Sequence, residues 1–323
     1  MTDGARAGQE VTSVAAADVV QRVVANLELA VRAPRATLEL CVLCLLAEGH
    51  LIIEDFPGVG KTMLAKSLAR SLDISFSRLQ FTPDLLPTDV TGVNVFNQKA
   101  NEFEFKPGPV FANVLLVDEI NRASPKTQSA LLEAMQEAQV TIDGTTYALE
   151  LPFLVVATQN PIEYEGTYPL PEAQLDRFTA RLALGYPPLV EEARMLAEQT
   201  TAPPLERLLA VADRADVLVA IDAARAVYVE ESVGDYVVRI LRHTRSSARL
   251  ALGASPRAGI ALLRMAKARA VAAGREYVLP EDVQAVAVPV LAHRLIVGPE
   301  ARATGLAAVE AVEEALAEIP VPA

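Results

Sequence analysis

Leu51–Thr62 reads LIIEDFPGVGKT, and how this stretch is read decides the fold. Leu51–Glu54 is a short apolar run suited to a buried strand. Pro57, Gly58 and Gly60 make a turn, and Lys61–Thr62 open a helix. That order describes a phosphate-binding loop. Glycines let backbone N–H groups curl around a polyphosphate, and the helix N-terminus adds the positive end of its dipole. Lys61 would reach the β- and γ-phosphates, and the Thr62 hydroxyl would hold Mg²⁺. The strict motif, G-x-x-x-x-G-K-[ST], has glycine where this chain has Asp55. That position begins the loop and lies outside the main cradle, so the change is expected to touch only fine nucleotide affinity.

A phosphate loop requires an apolar strand ending in an acid farther along the chain. Val114–Glu119, VLLVDE, supplies it. Four large apolar residues in a row suit a parallel strand buried on both faces. Asp118 at its end would bind Mg²⁺ through hydrated neighbours, and Glu119 would orient and polarise the attacking water. Together the two motifs point to ATP or GTP. The next strand, Phe153–Thr158, runs into Gln159-Asn160-Pro161. At the carboxyl end of a neighbouring strand, Asn160 faces the crevice where ligands of open α/β sheets sit. It either contacts the γ-phosphate or lytic water, or makes the turn before Pro161. Arg177 in LDRF and Arg257 in SPR are either surface charges or stabilisers of the charge that develops on a transferring phosphoryl group.

The order PGVGKT, LLVDEINRASPKTQSALLEAMQE, VVATQNPIEYEGTYPLPEAQLDRF and GASPRA resembles the MoxR family of AAA+ ATPases, from about Glu48 into the C-terminal region. The resemblance implies an α/β fold. It has a P-loop AAA+ core, with a parallel sheet flanked by helices and β-hairpin inserts, and a C-terminal all-helical lid domain. It also implies a ring, six subunits being the family expectation, with an ATP and Mg²⁺ site at each interface. Nucleotide contacts would come from Pro57, Gly58, Val59, Gly60, Lys61, Thr62 and Met63, with Thr62 and Asp118 at the metal. Glu119 matches the second half of Walker B and Asn160 sensor 1. Arg177 matches the arginine finger given to the neighbouring subunit, with Arg181 one helical turn on as the alternative. Arg257 matches sensor 2. A client protein, of von Willebrand A type in some members, would be remodelled or matured.

The whole chain is consistent with this reading. It has 323 residues, 51% hydrophobic and 22% charged, which is a folded composition long enough for two domains. A formal net charge of −12 repels phosphate backbones and disfavours nucleic acid as the principal partner. Cys41 and Cys44 have C-x-x-C spacing, but they sit in an apolar helical run without a second pair. They read as small buried hydrophobes, and His50, His243 and His293 are too scattered to hold a metal. The polar start MTDGARAGQE carries no secretory pattern, and no apolar run reaches the roughly 18–20 residues of a membrane span. A cytoplasmic location is therefore expected.

Taken in order, residues 1–13 read as a disordered tail, 14–187 as the nucleotide-binding domain and 188–323 as the helical lid. Val19, Val20, Val23, Val24, Leu27 and Val31 recur at helical spacing, and Pro34 separates them from a second helix, about 35–48. Short alternating segments around Lys99-Ala100-Asn101, and again around Asp143-Gly144, predict two β-hairpins. Ser124-Pro125 begins a helix, and a long loop, Pro161–Leu170, leads to another at Pro171-Glu172. Lid helices are expected at about 189–199, 216–229, 232–247, 257–273, 280–294 and 300–317. Three other readings compete: a magnesium-chelatase-like motor subunit, a nucleotide-gated scaffold with little turnover, and a helicase loader disfavoured by charge.

Overall fold

The computed structural model describes residues 3–160, 167–187, 189–192 and 204–322. Its centre is a five-stranded parallel sheet in the order β2-β5-β8-β1-β9. These strands are β1 (Leu51–Glu54), β2 (Phe76–Gln80), β5 (Val114–Asp118), β8 (Leu154–Gln159) and β9 (Ala180–Leu182). Because strand side chains alternate, the apolar run of each strand feeds two cores. Leu51, Ile53, Val114, Leu116, Leu154 and Val156 face one of them, and Ile52, Leu115, Val117, Val155 and Ala157 the other.

Helices α1 (Asp3–Ala30), α2 (Arg35–Leu46) and α3 (Lys61–Ser71) cover the first face, and α5 (Pro125–Glu137) covers the second. The Ser124 hydroxyl accepts from Thr127 N–H and Pro125 fills the first turn of α5, the N-cap pairing expected there. Before α5, the short α4 (Pro87–Thr91) leads into the hairpin of β3 (Gly92–Asn97) and β4 (Glu102–Pro107). The second hairpin, β6 (Gln139–Ile142) and β7 (Thr145–Ala148), turns at Asp143-Gly144, both with positive φ. Stacking of Phe105 on Tyr147 at 4.1 Å joins the two hairpins. After β8 comes the short α6 (Glu172–Leu175), which leads to β9.

The C-terminal region holds α7 (Pro204–Arg207), α8 (Arg214–Ala226), α9 (Glu231–Ser246), α10 (Pro256–Ala272), α11 (Pro280–Leu291), α12 (Pro299–Ala303) and α13 (Ala308–Glu318). Four expectations change. Residues 1–13 are not a disordered tail throughout, because α1 starts at Asp3. Ala, Arg, Gln and Glu there are good helix formers and extend a helix that is already nucleated. The lid is helical but also contains a two-stranded antiparallel ribbon, β10 (Leu250–Leu252) with β11 (Ile296–Val297). The expected helix 300–317 is split at Thr304–Ala307, where Gly305 takes φ +92°. Finally, α1 and α2 do not belong to the α/β half alone. Their apolar faces share one continuous core with α8, α10 and α11. Residues 161–166 of the expected loop and 193–199 of the expected helix lie outside the described residues.

Candidate nucleotide site

Parallel pairing brings the carboxyl ends of β1, β5 and β8 to one edge, with Glu54 opposite Gln159 and Val117 opposite Ala157. The phosphate loop leaves β1 at this edge. Gly58 (φ +85°) and Gly60 (φ +100°) both occupy the left-handed region, and a Cβ on either would meet no atom within 4 Å. Backbone conformation therefore demands glycine here, while the space above the loop stays open. Gly60 caps α3 without a side chain, so the first N–H groups of the helix have no side-chain acceptor. Lys61 Nζ donates to Asp55 O at 2.6 Å and lies back over the loop. Burial pulls the Lys61 ammonium below its usual pKa, and the charges of Asp55, Asp118 and Glu119 oppose that shift. Open space, unengaged helix N–H groups and a loop-facing ammonium suit a polyphosphate, so the residues present fit ATP.

The acids are organised by two residues that the sequence did not single out. Thr158, 3% exposed, donates its hydroxyl to Asp118 Oδ1 at 3.2 Å and accepts from Glu119 N–H at 3.0 Å. Arg78 Nε, from β2, donates to Asp118 Oδ2 at 2.7 Å. Both carboxylate oxygens of Asp118 are thus engaged. Thr62 and Asp118 would hold Mg²⁺, a hydroxyl and a carboxylate being the oxygen ligands that this ion takes. Glu119 has φ +57° and ψ +53°, an unusual backbone for a non-glycine residue, and its carboxylate pairs with Arg122 at 2.9 Å. A lone hydroxyl in an otherwise apolar strand was the one signal for Thr158. Arg78 gave none, because β2 alternates and its neighbour is unknown from sequence.

Asp55 turns out to be far more than a missing glycine. The residue is 5% exposed, and Oδ2 accepts from Leu184 N–H (2.6 Å) and Gly185 N–H (2.7 Å) while Oδ1 accepts from Phe56 N–H (2.8 Å). Phe56 stacks on Tyr186 with centroids 5.4 Å apart. The start of the phosphate loop is therefore fastened to the segment that leads from β9 toward the lid.

The remaining predicted residues separate into two groups. Asn160 follows β8 beside the loop, where Asp55 N–H donates to Gln159 O at 3.3 Å. Arg181 is held within its own chain, 2.8 Å from Glu54 on the neighbouring strand. Arg177 lies near the other end of the sheet, two residues before Thr179, whose N–H donates to His50 O at the amino end of β1. The Arg177 guanidinium is lowered in pKa first by burial and then by Arg257, with Glu133 opposing, and Arg257 also acts on Arg294. Arg177 Nε is buried with no hydrogen-bond partner among the described residues. Arg257 lies at the start of α10, two residues after the N-cap Ser255. Cys41 and Cys44 are buried free thiols, burial pushing Cys41 up to about 12. No group of metal-binding side chains occurs among the described residues, and no described helix is long and apolar enough to cross a membrane.

Comparison with known proteins agrees with this geometry. The profile of the ATPase family associated with various cellular activities (AAA) matches residues 50–180, and that of the AAA lid domain matches 242–318. Protein YeaC of Bacillus subtilis is 50% identical over 283 residues, covering 88% of both chains. Chaperone MoxR1 of Mycobacterium tuberculosis is 43% identical over 287 residues, covering 86% of this chain and 76% of its own. A crystal structure described as that of a candidate ATPase from Cytophaga hutchinsonii superposes with a TM-score of 0.90 at 39% identity. It covers 97% of this chain and 98% of its own.

Proposed function

The chain belongs to the MoxR family of AAA+ ATPases, and from that premise we propose that it hydrolyses ATP at the interfaces of a ring, six-membered by family expectation, and uses the cycle to remodel or mature a client protein. One observation carries the interface reading. Arg177 lies two residues before Thr179, whose N–H donates to His50 O at the amino end of β1, whereas the phosphate loop leaves the carboxyl end of the same strand. Arg181, the alternative finger, is already paired with Glu54, which favours Arg177 as the residue given to the next subunit. Arg257, at the start of α10, keeps the role of sensor 2 from the lid side.

In this scheme the loop N–H groups of 57–63 and Lys61 hold the triphosphate. Mg²⁺ between Thr62 and Asp118 would neutralise phosphate charge. Thr158 keeps Asp118 and Glu119 in register, Asn160 reaches the γ-phosphate or water, and Glu119 orients water once Arg122 releases it. The Arg122 pairing favours a second arrangement, in which the resting ring turns over slowly until a partner frees Glu119. The client surface is assigned to the hairpins. Phe96 and Phe103, 46% and 71% exposed, form an aromatic pair 5.3 Å apart near the tip of β3–β4. Location in the cytoplasm, a client of von Willebrand A type, and the absence of a nucleic-acid role remain part of this proposal.

Phosphate release by the purified protein tests the scheme. Lys61→Ala is expected to lose nucleotide binding, and Glu119→Gln to bind ATP without turning it over. Full turnover in Glu119→Gln would overturn it.

A further inference from the structure

The segment that carries Arg177 is gripped from both sides by one buried lid residue. Arg294, whose side chain is 3% exposed, donates Nη2 to Phe178 O at 2.7 Å and to Asp176 O at 3.2 Å, the carbonyls on either side of Arg177. Its Nη1 donates to Val290 O at 3.0 Å. Its Nε lies 2.9 Å from Asp176 Oδ1, with the N–H direction off the oxygen, so this contact is one of charge rather than an aligned hydrogen bond. The other Asp176 oxygen, Oδ2, accepts from the Ser255 hydroxyl at 3.0 Å. Ser255 is also the N-cap of α10, accepting from Ala258 N–H, and Arg257 stands two residues on. His293 adds a second contact to Phe178 O at 3.1 Å.

We propose that Arg294 and Asp176 are positioning residues that fix Arg177 for the neighbouring subunit's site, and that through Ser255 they tie Arg177 and Arg257 into one rigid unit. The proposal rests on the reading that Arg177 acts across the interface. A finger must meet a developing charge closely, and a shift of about 1 Å can cost on the order of 100-fold in rate. Side-chain rotamers alone do not fix a half-buried arginine that well. Backbone carbonyls held on both sides of it do. The guanidinium fork is the group that can serve three carbonyls and a carboxylate at once; a lysine ammonium is a single point. Arg294 stays cationic in this setting, since burial pulls it down only to about 10, with Asp176 opposing that shift.

The test is subunit mixing with Arg294→Lys and Asp176→Asn. Each variant keeps its own Lys61, Asp118 and Glu119, and the proposal expects each to fall about 10–100-fold in kcat while ATP affinity stays within about two-fold. Mixing either variant with Glu119→Gln subunits, which lack turnover but present an intact Arg177 segment, is then expected to restore activity at the mixed interfaces. A merely structural loss would damage the variant's own lid and gain nothing from its neighbour. If Arg294→Lys fails to assemble, Asp176→Asn decides by the same readout. Failure of both to recover, while Arg177→Ala recovers in the same assay, overturns the positioning role and leaves the interface reading intact. Failure of Arg177→Ala as well overturns the interface reading itself.

Discussion

At the scale of the residue, the site depends on side chains whose partners sit on other strands. Asp55 is the sharpest case. As a letter it looks like a lost glycine; folded, it is a buried carboxylate accepting three backbone N–H bonds, two of them from Leu184 and Gly185. Restoring the motif with Asp55→Gly should therefore harm the protein. Hydrogen bonds to a charged acceptor are worth roughly 1.5–3 kcal/mol each, so denaturant unfolding should show a loss of several kcal/mol, together with weaker ATP binding. An unchanged midpoint would show that the latch is idle. His50 gives a pH prediction. Its Nδ1 accepts from Val155 N–H, so Nε2–H donates to Met135 O, and burial pulls the ring down to about 4. Unfolded histidine titrates near 6.5. Between those values the unfolded chain binds a proton that the folded one does not, so stability falls as pH drops through that window. His293, pulled down to about 3, acts in the same direction. His50→Gln should flatten the fall measured by denaturation at pH 7 and pH 5; an equally steep fall would assign the effect elsewhere.

At the scale of the element, local chemistry made most of the fold legible. The apolar run of β5, the Asp143-Gly144 turn and the Ser124-Pro125 helix start each carry their own instruction, and the strands and hairpins formed where those instructions lie. Partners were not legible, because period reveals an apolar face and not what covers it. The stripe Val20, Val23, Val24 and Leu27 reads identically whichever half it serves, and in the fold it belongs to one core that the sheet and the lid share. The β3–β4 hairpin shows how close approach constrains an element. At its base a Cβ on Gly108 would stand 2.4 Å from Val90 O, and one on Gly92 2.4 Å from Lys106 O. Gly108→Ala should loosen this base and raise amide exchange across β3 and β4, with ATP binding little changed. Protection equal to wild type would mean that the hairpin absorbs the strain. By contrast, Phe96→Ser with Phe103→Ser should leave stability and basal hydrolysis near wild type and abolish stimulation by a client. Retained stimulation would move the client surface off this hairpin.

At the scale of the whole molecule, the residues proposed to act on ATP lie at two places. Lys61, Asp118, Glu119 and Asn160 gather where β1, β5 and β8 end, and the segments that carry Arg177 and Arg257 are joined by the Ser255–Asp176 hydrogen bond where the lid meets α6. Both motif sets could be read from sequence, because each is a local pattern. Their separation could not, because it depends on where Arg294 and Ser255 meet Asp176, 118 and 79 positions earlier in the chain. On the proposed reading, a molecule divided in this way completes its site only beside a second copy. A finger given in trans is worth about 10³–10⁵ in rate, so turnover should rise steeply with assembly. The most direct test mixes two inactive variants, Arg177→Ala and Glu119→Gln, and follows ATP hydrolysis as their ratio changes at fixed total protein, with co-assembly checked by size. Interfaces that pair an intact Glu119 with an intact Arg177 should regain activity, greatest near equal mixing. A co-assembled mixture no more active than either variant alone would contradict the shared site.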